Sequence, residues 1–284
     1  MRRSVTLRPQ PRPPVRSEPR DVVELKSLRA SMPELATAVD LQLAQLELFR
    51  RVHARVPLPP QLDEARAIAD VAAGRPILRF TDIPINWSDF RWALRETTDL
   101  LRRFELVDAP LHARLHHLMR EGHTLEPAVT AWFEAATCGK PADDEEIGEV
   151  FARGLKPFLA RSAEVWGPRL DLSKWDRGAC PLCGGQPELG ILLADGDRWL
   201  VCERCTVRWP LAPERCPWCG EDRPDHRTTL STPDGRYQLS ACDTCRRYLK
   251  SCDERHLGRP TLPWLDGVAT MPLDAAAMQR GYGG

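Results

Sequence analysis

The chain has 284 residues, of which 42% are apolar, and its 40 Lys and Arg residues balance its 40 Asp and Glu residues. A chain of this size is globular and can hold two or three folding units. The zero net charge, with 12 basic and 13 acidic residues between positions 176 and 258, disfavours nucleic-acid binding, which usually requires a basic surface. The sequence has no run of 18 apolar residues, so no membrane insertion is expected.

Residues 1–24 are expected to form a disordered leader. The first 20 residues contain six Arg and five Pro but only one acidic residue, and such a composition cannot bury a core. Arg2-Arg3 resembles the start of a twin-arginine export signal, but no apolar segment of about seven residues follows it. We therefore expect the protein to be cytoplasmic.

Residues 25–172 are predicted to form an all-α domain of five to seven helices. Ser31-Met-Pro-Glu34 has the pattern of a capping box, and apolar residues at spacings of three and four follow it as far as Val52. Further helices are predicted near 62–73, 87–106, 110–120, 126–138 and 143–165, with Pro and Gly between them.

Two histidines of this region lie one helical turn apart, His112 and His116. The helical metalloprotease motif needs Glu directly after the first His, and this chain has Ala113 there. We interpret both as surface histidines. Four other residues of this region are candidates for a functional role, and we interpret them as core residues: Trp87, Trp92, Trp132 and Cys138.

Four Cys-x-x-Cys pairs occupy the C-terminal part of the chain: Cys180/Cys183, Cys202/Cys205, Cys216/Cys219 and Cys242/Cys245. Two such pairs supply the four sulfurs of a tetrahedral site, so four pairs predict two metal ions, either iron or zinc. Disulfides are disfavoured in a cytoplasmic chain, and evenly paired cysteines suit a single ion better than an iron–sulfur cluster. The spacing leaves open whether consecutive pairs share an ion or the first pair joins the third.

The cysteine pairs form a tandem repeat of period 36, and each copy opens with Cys-Pro-x-Cys-Gly. Between the pairs, Asp195-Gly196 and Asp234-Gly235 separate short apolar or β-branched stretches, which predicts a β-hairpin in each copy. The fold class is therefore multidomain, with two rubredoxin-like or zinc-ribbon-like modules at 173–212 and 213–258 and a C-terminal tail at 259–284. A redox or ligand role for Cys252 is left open.

The segment from Cys180 to Tyr282 resembles formate dehydrogenase accessory proteins of the FdhE type. The same four pairs occur in order there, together with Trp209 and Arg215-Cys-Pro-Trp-Cys-Gly220. The remaining landmarks are Tyr248-Leu-Lys250, Asp266, Leu273-Asp274 and Gly281-Tyr282. The family's aspartate pair is reduced here to Leu265-Asp266.

The resemblance implies a cytoplasmic, non-enzymatic accessory protein for formate dehydrogenase maturation. Its partner would be the catalytic subunit, bound through a helical platform and the metal-bound modules. Its eight knuckle cysteines, those of the four Cys-x-x-Cys pairs, would bind iron, with zinc as the alternative. The client-binding surface, a homodimer and a redox role for the metal are left open. Two other classes are a rubredoxin-like electron carrier and a zinc-ribbon module of a transcription or translation assembly.

Overall fold

The computed structural model describes residues 18–137 and 144–283. Seven α-helices lie within the N-terminal part of these residues. They are α1 (Arg20–Ser31), α2 (Ala36–His53), α3 (Glu64–Ala72), α4 (Trp87–Arg103), α5 (Ala109–Arg120), α6 (Gly122–Thr137) and α7 (Glu145–Trp166). The all-α domain predicted from the sequence is therefore confirmed.

Four of these helices begin at an Asp or Asn whose side chain accepts a backbone N–H of the first turn, namely Asp63, Asn86, Asp108 and Asp144. Such a cap satisfies N–H groups that have no partner within the helix, so it fixes where the helix starts. The predicted capping box is wrong: Ser31 ends α1, where its Oγ donates to the Leu28 carbonyl, and α2 begins at Ala36.

The first helix was not expected, and it corrects the boundary of the leader. Residues 20–24, assigned to a disordered leader, form the first turns of α1. Leu25 is fully buried there against Val39 of α2. The helix depends on this packing rather than on a strong apolar periodicity of its own, which explains why the local pattern did not reveal it.

The C-terminal part contains one six-stranded sheet. Its strands are β1 (Pro187–Leu192), β2 (Arg198–Cys202), β3 (Arg208–Pro210), β4 (Arg227–Ser231), β5 (Tyr237–Cys242) and β6 (Tyr248–Asp253). Their order across the sheet is β3-β2-β1-β6-β5-β4. The hairpins β1–β2 and β4–β5 are those predicted from the two Asp-Gly turns.

The two modules are joined rather than separate. Strand β1 of the first pairs in parallel with β6 of the second, with Gly190 opposite Ser251. A Cβ atom on Gly190 would lie 2.4 Å from the Ser251 Oγ, so a larger residue at 190 would push the strands apart. All other strand pairs are antiparallel, so this parallel pair is the seam at which the sheets of the two modules join.

The predicted tail is helical and bridges the two halves of the molecule. After a short helix α8 (Glu254–Leu257), the chain forms α9 (Pro263–Ala269) and α10 (Met271–Met278). Helix α9 packs Leu265 and Val268 against α1 and α2, whereas α10 packs on β5. The segment therefore ties the helical domain to the second module.

Two predictions from the sequence concern residues outside the described ranges: the disordered leader up to residue 17 and the core position of Cys138. Within the described ranges, none of the helices combines the length and the apolar character needed to cross a bilayer.

Candidate metal centres

The eight knuckle cysteines form two separate clusters of four. The first site consists of Cys180, Cys183, Cys202 and Cys205, and the second of Cys216, Cys219, Cys242 and Cys245. Consecutive pairs of the sequence therefore share a site, and the crossed arrangement that the spacing allowed is not the one in the structure. Each four-cysteine group comes from one hairpin module.

The sulfur positions fit a single tetrahedral ion in each cluster. Ligands about 2.3 Å from a central ion lie about 3.8 Å from one another. The Sγ atoms of Cys180 and Cys205, and those of Cys183 and Cys202, are 3.5 Å apart, and the matching separations in the second site are 3.7 and 3.6 Å. Disulfide sulfurs would lie at about 2.05 Å, so these cysteines are free thiols.

The backbone turns in the same way at all four knuckles. The residue after the second cysteine has a positive φ in each: 72° at Gly184, 64° at Thr206, 77° at Gly220 and 61° at Arg246. This conformation returns the chain so that the amide of that residue donates to the carbonyl of the first cysteine, as from Gly184 to Cys180 at 2.9 Å. Both side chains of a pair then point into the same four-cysteine cluster.

The first site is enclosed by the core of the helical domain. Its four cysteines are 0% exposed and belong to the same apolar cluster as the helices. The backbone N–H groups of Ile77 and Leu78 donate to the carbonyls of Pro181 and Leu182 at 3.0 and 2.8 Å. Thr137 at the end of α6 also donates to the Cys183 carbonyl, at 3.3 Å. The helical domain therefore holds the first knuckle directly.

Burial makes four thiolates in the first site unfavourable without a cation. It raises the pKa of Cys180 and Cys205 well above the ordinary thiol value, since a thiolate loses its hydration there. The other thiols of the site lower the pKa of Cys183 by hydrogen bonding, and the nearby Arg204 guanidinium adds to that effect. A divalent ion would supply the charge that lets all four sulfurs ionise, so the donor set fits a resident metal.

The second site lies nearer the surface. Cys219 is exposed and Cys245 is partly exposed, whereas Cys216 and Cys242 are buried. Burial raises the pKa of the Cys245 thiol to about 12. The guanidinium of Arg247 lies 4.7 Å from the centre of the Trp218 ring, beside this site. A metal here would be more accessible to chelators and oxidants than one in the first site.

Several residues that carry the family resemblance turn out to attach the C-terminal helices to the second module. The buried Asp266 carboxylate accepts from the Tyr237 hydroxyl at 2.8 Å and from the Arg259 guanidinium at 2.5 and 3.0 Å. On α10, Asp274 accepts from Tyr248 at 2.9 Å and from Lys250 at 2.7 Å. These landmarks therefore have a structural role, although no sequence pattern indicates what they contact.

Tyr282, which follows α10, makes further contacts with the second module. Its ring is 4.0 Å from the Arg246 guanidinium of the last knuckle, and its hydroxyl donates to Thr228 Oγ1 at 3.1 Å. The preceding Gly281 has a φ of 76°, which lets the chain reverse after α10. The second site is thus supported by the end of the chain.

The remaining candidates lie away from both sites. Cys252 is fully buried on β6 beside Leu189 and Ile191, and burial raises its pKa so that it stays a protonated thiol at neutral pH. His112 and His116 lie on the outer face of α5, where both rings contact Asp99 of α4. Asp99 was missed because it precedes the histidines on another helix.

A groove of about 970 Å³ separates the helical domain from the first module. Its walls come from α2, α4, α6 and α7 on one side. The other side consists of Gln186, Glu188, Glu203 and Arg204 of the first module, Arg247 of the second module and Trp264 of α9. Trp132 lies in this groove with the Arg204 guanidinium 5.0 Å from its ring, and Lys156 lies 3.7 Å from Glu188 across it. The surface is mixed, with apolar rings between charges of both signs.

Comparison with known proteins leads to one family. A protein FdhE homologue from Erwinia tasmaniensis is 30% identical over 107 residues, which are 37% of this chain and 34% of that protein. Protein FdhE from Escherichia coli is 28% identical over 110 residues, 37% of this chain and 35% of the relative. The match thus spans about a third of the length of these relatives. No family model matches the chain.

The fold similarity extends over nearly the whole chain. The crystal structure of the FdhE protein from Pseudomonas aeruginosa superposes with a TM-score of 0.62 and 22% identity, covering 93% of this chain and 91% of that one. At this identity the match establishes the fold. Together with the curated relatives, it confirms the resemblance to the FdhE family that the cysteine spacing and its landmarks indicated.

Proposed function

We propose, from its FdhE-like sequence and fold, that this chain is an accessory protein for formate dehydrogenase. It binds the catalytic subunit in the cytoplasm during maturation and does not itself turn over a substrate. The observation that supports this most strongly is the combination of an FdhE fold over 93% of the chain with two four-cysteine clusters. Neither feature alone would favour formate dehydrogenase over other clients.

In this proposal the metal ions have a structural role. Each ion, iron or zinc, would join the four thiolates of one module and so fix two knuckles whose hairpin has little core of its own. In the first module that effect extends further, because the site is part of the helical domain's core. The ions would therefore set the position of one groove wall.

The groove is the surface through which we propose that the client binds. The two elements that the resemblance implies in docking, a helical platform and a metal module, meet there. Its apolar rings would be covered by a partner, and its paired charges would exchange their partners for client side chains. Loading of the first site and client binding would then be coupled through the groove wall.

The proposal is tested by deleting the gene for this chain in its own host and measuring formate dehydrogenase activity. We expect activity to fall when the gene is deleted and to return with the wild-type gene, and we expect a tagged copy to retain the catalytic subunit. Unchanged activity together with no retained subunit would overturn the proposal.

Metal analysis of protein purified without oxygen distinguishes the rival electron-carrier class. An electron carrier requires iron and a reversible one-electron couple with a physiological partner, whereas a structural role requires only that each site holds an ion. We expect about two ions per chain, one for each group of four thiolates. A protein that carries iron, cycles with a partner reductase and leaves formate dehydrogenase unaffected would favour the carrier.

A further inference from the structure

Three potential metal ligands converge outside both four-cysteine sites. Asp99 near the end of α4 faces His112 and His116 on α5, and both histidine Nε2 atoms approach the same carboxylate oxygen, at 2.7 and 2.8 Å. The two imidazole rings are 4.3 Å apart between centroids. One ligand atom from each residue lies within 4.8 Å of the others.

Helices α4 and α5 fix the positions of these three residues. Asp108 caps α5 through the N–H of Leu111, and Leu111, Leu115 and Met119 bury the opposite face of the helix in the core. The histidines are four residues apart, so their rings point from the same face. Because both backbones are fixed by packing, the positions of the three ligand side chains follow from the fold rather than from their own contacts.

The cluster is also open to solvent. The side chains of Asp99, His112 and His116 are 49%, 31% and 27% exposed. The site therefore combines one negative ligand with two imidazoles and leaves space for further ligands.

We propose that Asp99, His112 and His116 form a third metal site, one that binds a divalent transition ion of the Zn²⁺ type. Two imidazole nitrogens and one carboxylate oxygen are an established donor set for this ion, with bonds of about 2.0–2.2 Å. Tetrahedral ligands at that distance lie about 3.3–3.6 Å apart. The Asp99 Oδ1 atom lies 2.7 and 2.8 Å from the two Nε2 atoms, so the exposed Asp99 side chain would move by about 0.5–0.9 Å to allow this spacing.

This site would differ in kind from the four-cysteine sites. Four thiolates close the coordination shell of each ion in those sites, whereas three ligands on an exposed helix pair leave at least one position for water or for a side chain of a bound protein. Its ligands come from elements that fold without it, so the ion would bind to a preformed site and would contribute little to folding.

The test is a Zn²⁺ titration of the full chain after both four-cysteine sites have been loaded, followed by calorimetry and by NMR of the histidine side chains. We expect one further equivalent to bind and to shift the Nε2 resonances of His112 and His116. His112→Ala and His116→Ala should each weaken this equivalent by more than the roughly 10–100-fold that loss of an outer-shell partner costs.

Two further variants separate ligation from folding. Asp99→Asn keeps the size and the acceptor oxygen but removes the charge, so it should weaken Zn²⁺ binding while the protein stays folded. His117→Ala is the matched control, because His117 is 65% exposed on the same helix and pairs with Glu121 instead. Absence of a third equivalent in the wild type, or its full retention in a His112→Ala/His116→Ala double variant, would overturn the proposal.

Discussion

The residues that follow each cysteine pair show how far single positions could be predicted. A glycine after the second cysteine, as at 184 and 220, is the residue that most readily adopts a positive φ, and both glycines do so. Thr206 and Arg246 adopt the same conformation at the other two knuckles, although side chains with a Cβ avoid it at a cost of about 1–2 kcal/mol. The requirement comes from bringing both cysteines of a pair into one four-cysteine cluster, so a local preference for turn residues could not reveal it at these two positions.

Replacement of the two knuckle glycines should separate backbone strain from contact with the helical domain. A Cβ at Gly184 would lie 2.9 Å from Thr137 Cγ2 and 3.0 Å from the Thr137 carbonyl oxygen, whereas a Cβ at Gly220 has Arg215 as its nearest neighbour at 3.8 Å. We expect Gly220→Ala to cost about 1–2 kcal/mol from strain alone and Gly184→Ala to cost more. Denaturant unfolding of the metal-loaded proteins measures both, and equal costs would show that the contact with Thr137 is soft.

Loss of one cysteine should have different effects at the two sites. Cys180→Ala and Cys219→Ala should each reduce the metal content by about one ion per chain, since each removes one of four ligands. Because the first site lies in the core of the helical domain, Cys180→Ala should also lower the unfolding temperature of the helices, whereas Cys219→Ala, at an exposed position, should leave it nearly unchanged. Metal analysis and far-UV circular dichroism give the two readouts. Equal helix stability in both variants would contradict a shared core.

At the scale of elements, the hairpins and most helices could be predicted because their signals are local. Asp-Gly turns, N-capping side chains and apolar spacings all lie within a few residues of the structure that they specify. The parallel seam between β1 and β6 joins residues about 60 positions apart, and no local pattern marks it. The helices α9 and α10 were missed because each is short and depends on packing against other parts of the chain.

The attachment of α9 gives a prediction at this scale. Asp266→Asn should destabilise the protein by about 3–5 kcal/mol, since it leaves the Arg259 guanidinium buried without its counter-charge. Asp274→Asn is the control: its pair with Lys250 is more exposed, so its loss should cost less. Urea unfolding followed by tryptophan fluorescence measures the difference, and a small cost for both variants would show that the tail is held mainly by apolar contacts.

At the scale of the whole molecule, the two halves do not behave as a platform with modules attached to it. The first four-cysteine site shares a core with the helices, the seam joins it to the second module, and α9 returns the chain to α1 and α2. Each part of the molecule therefore contacts the next: the helical domain contacts the first module, the first module the second, the second module the C-terminal helices, and these helices the helical domain. A change in the first site is therefore expected to reach the groove.

The groove provides the last test of client binding. Ala152 of α7 lines it and is only partly buried, so Ala152→Trp would fill part of the space without entering the core. Leu106→Trp is the matched control, because Leu106 is 57% exposed and does not line the groove. With equal metal content and equal unfolding temperatures, we expect Ala152→Trp to reduce capture of the dehydrogenase catalytic subunit and Leu106→Trp to leave it unchanged. A client that both variants retain equally would have to bind elsewhere, which would leave the groove without a role in maturation while the metal predictions remain unaffected.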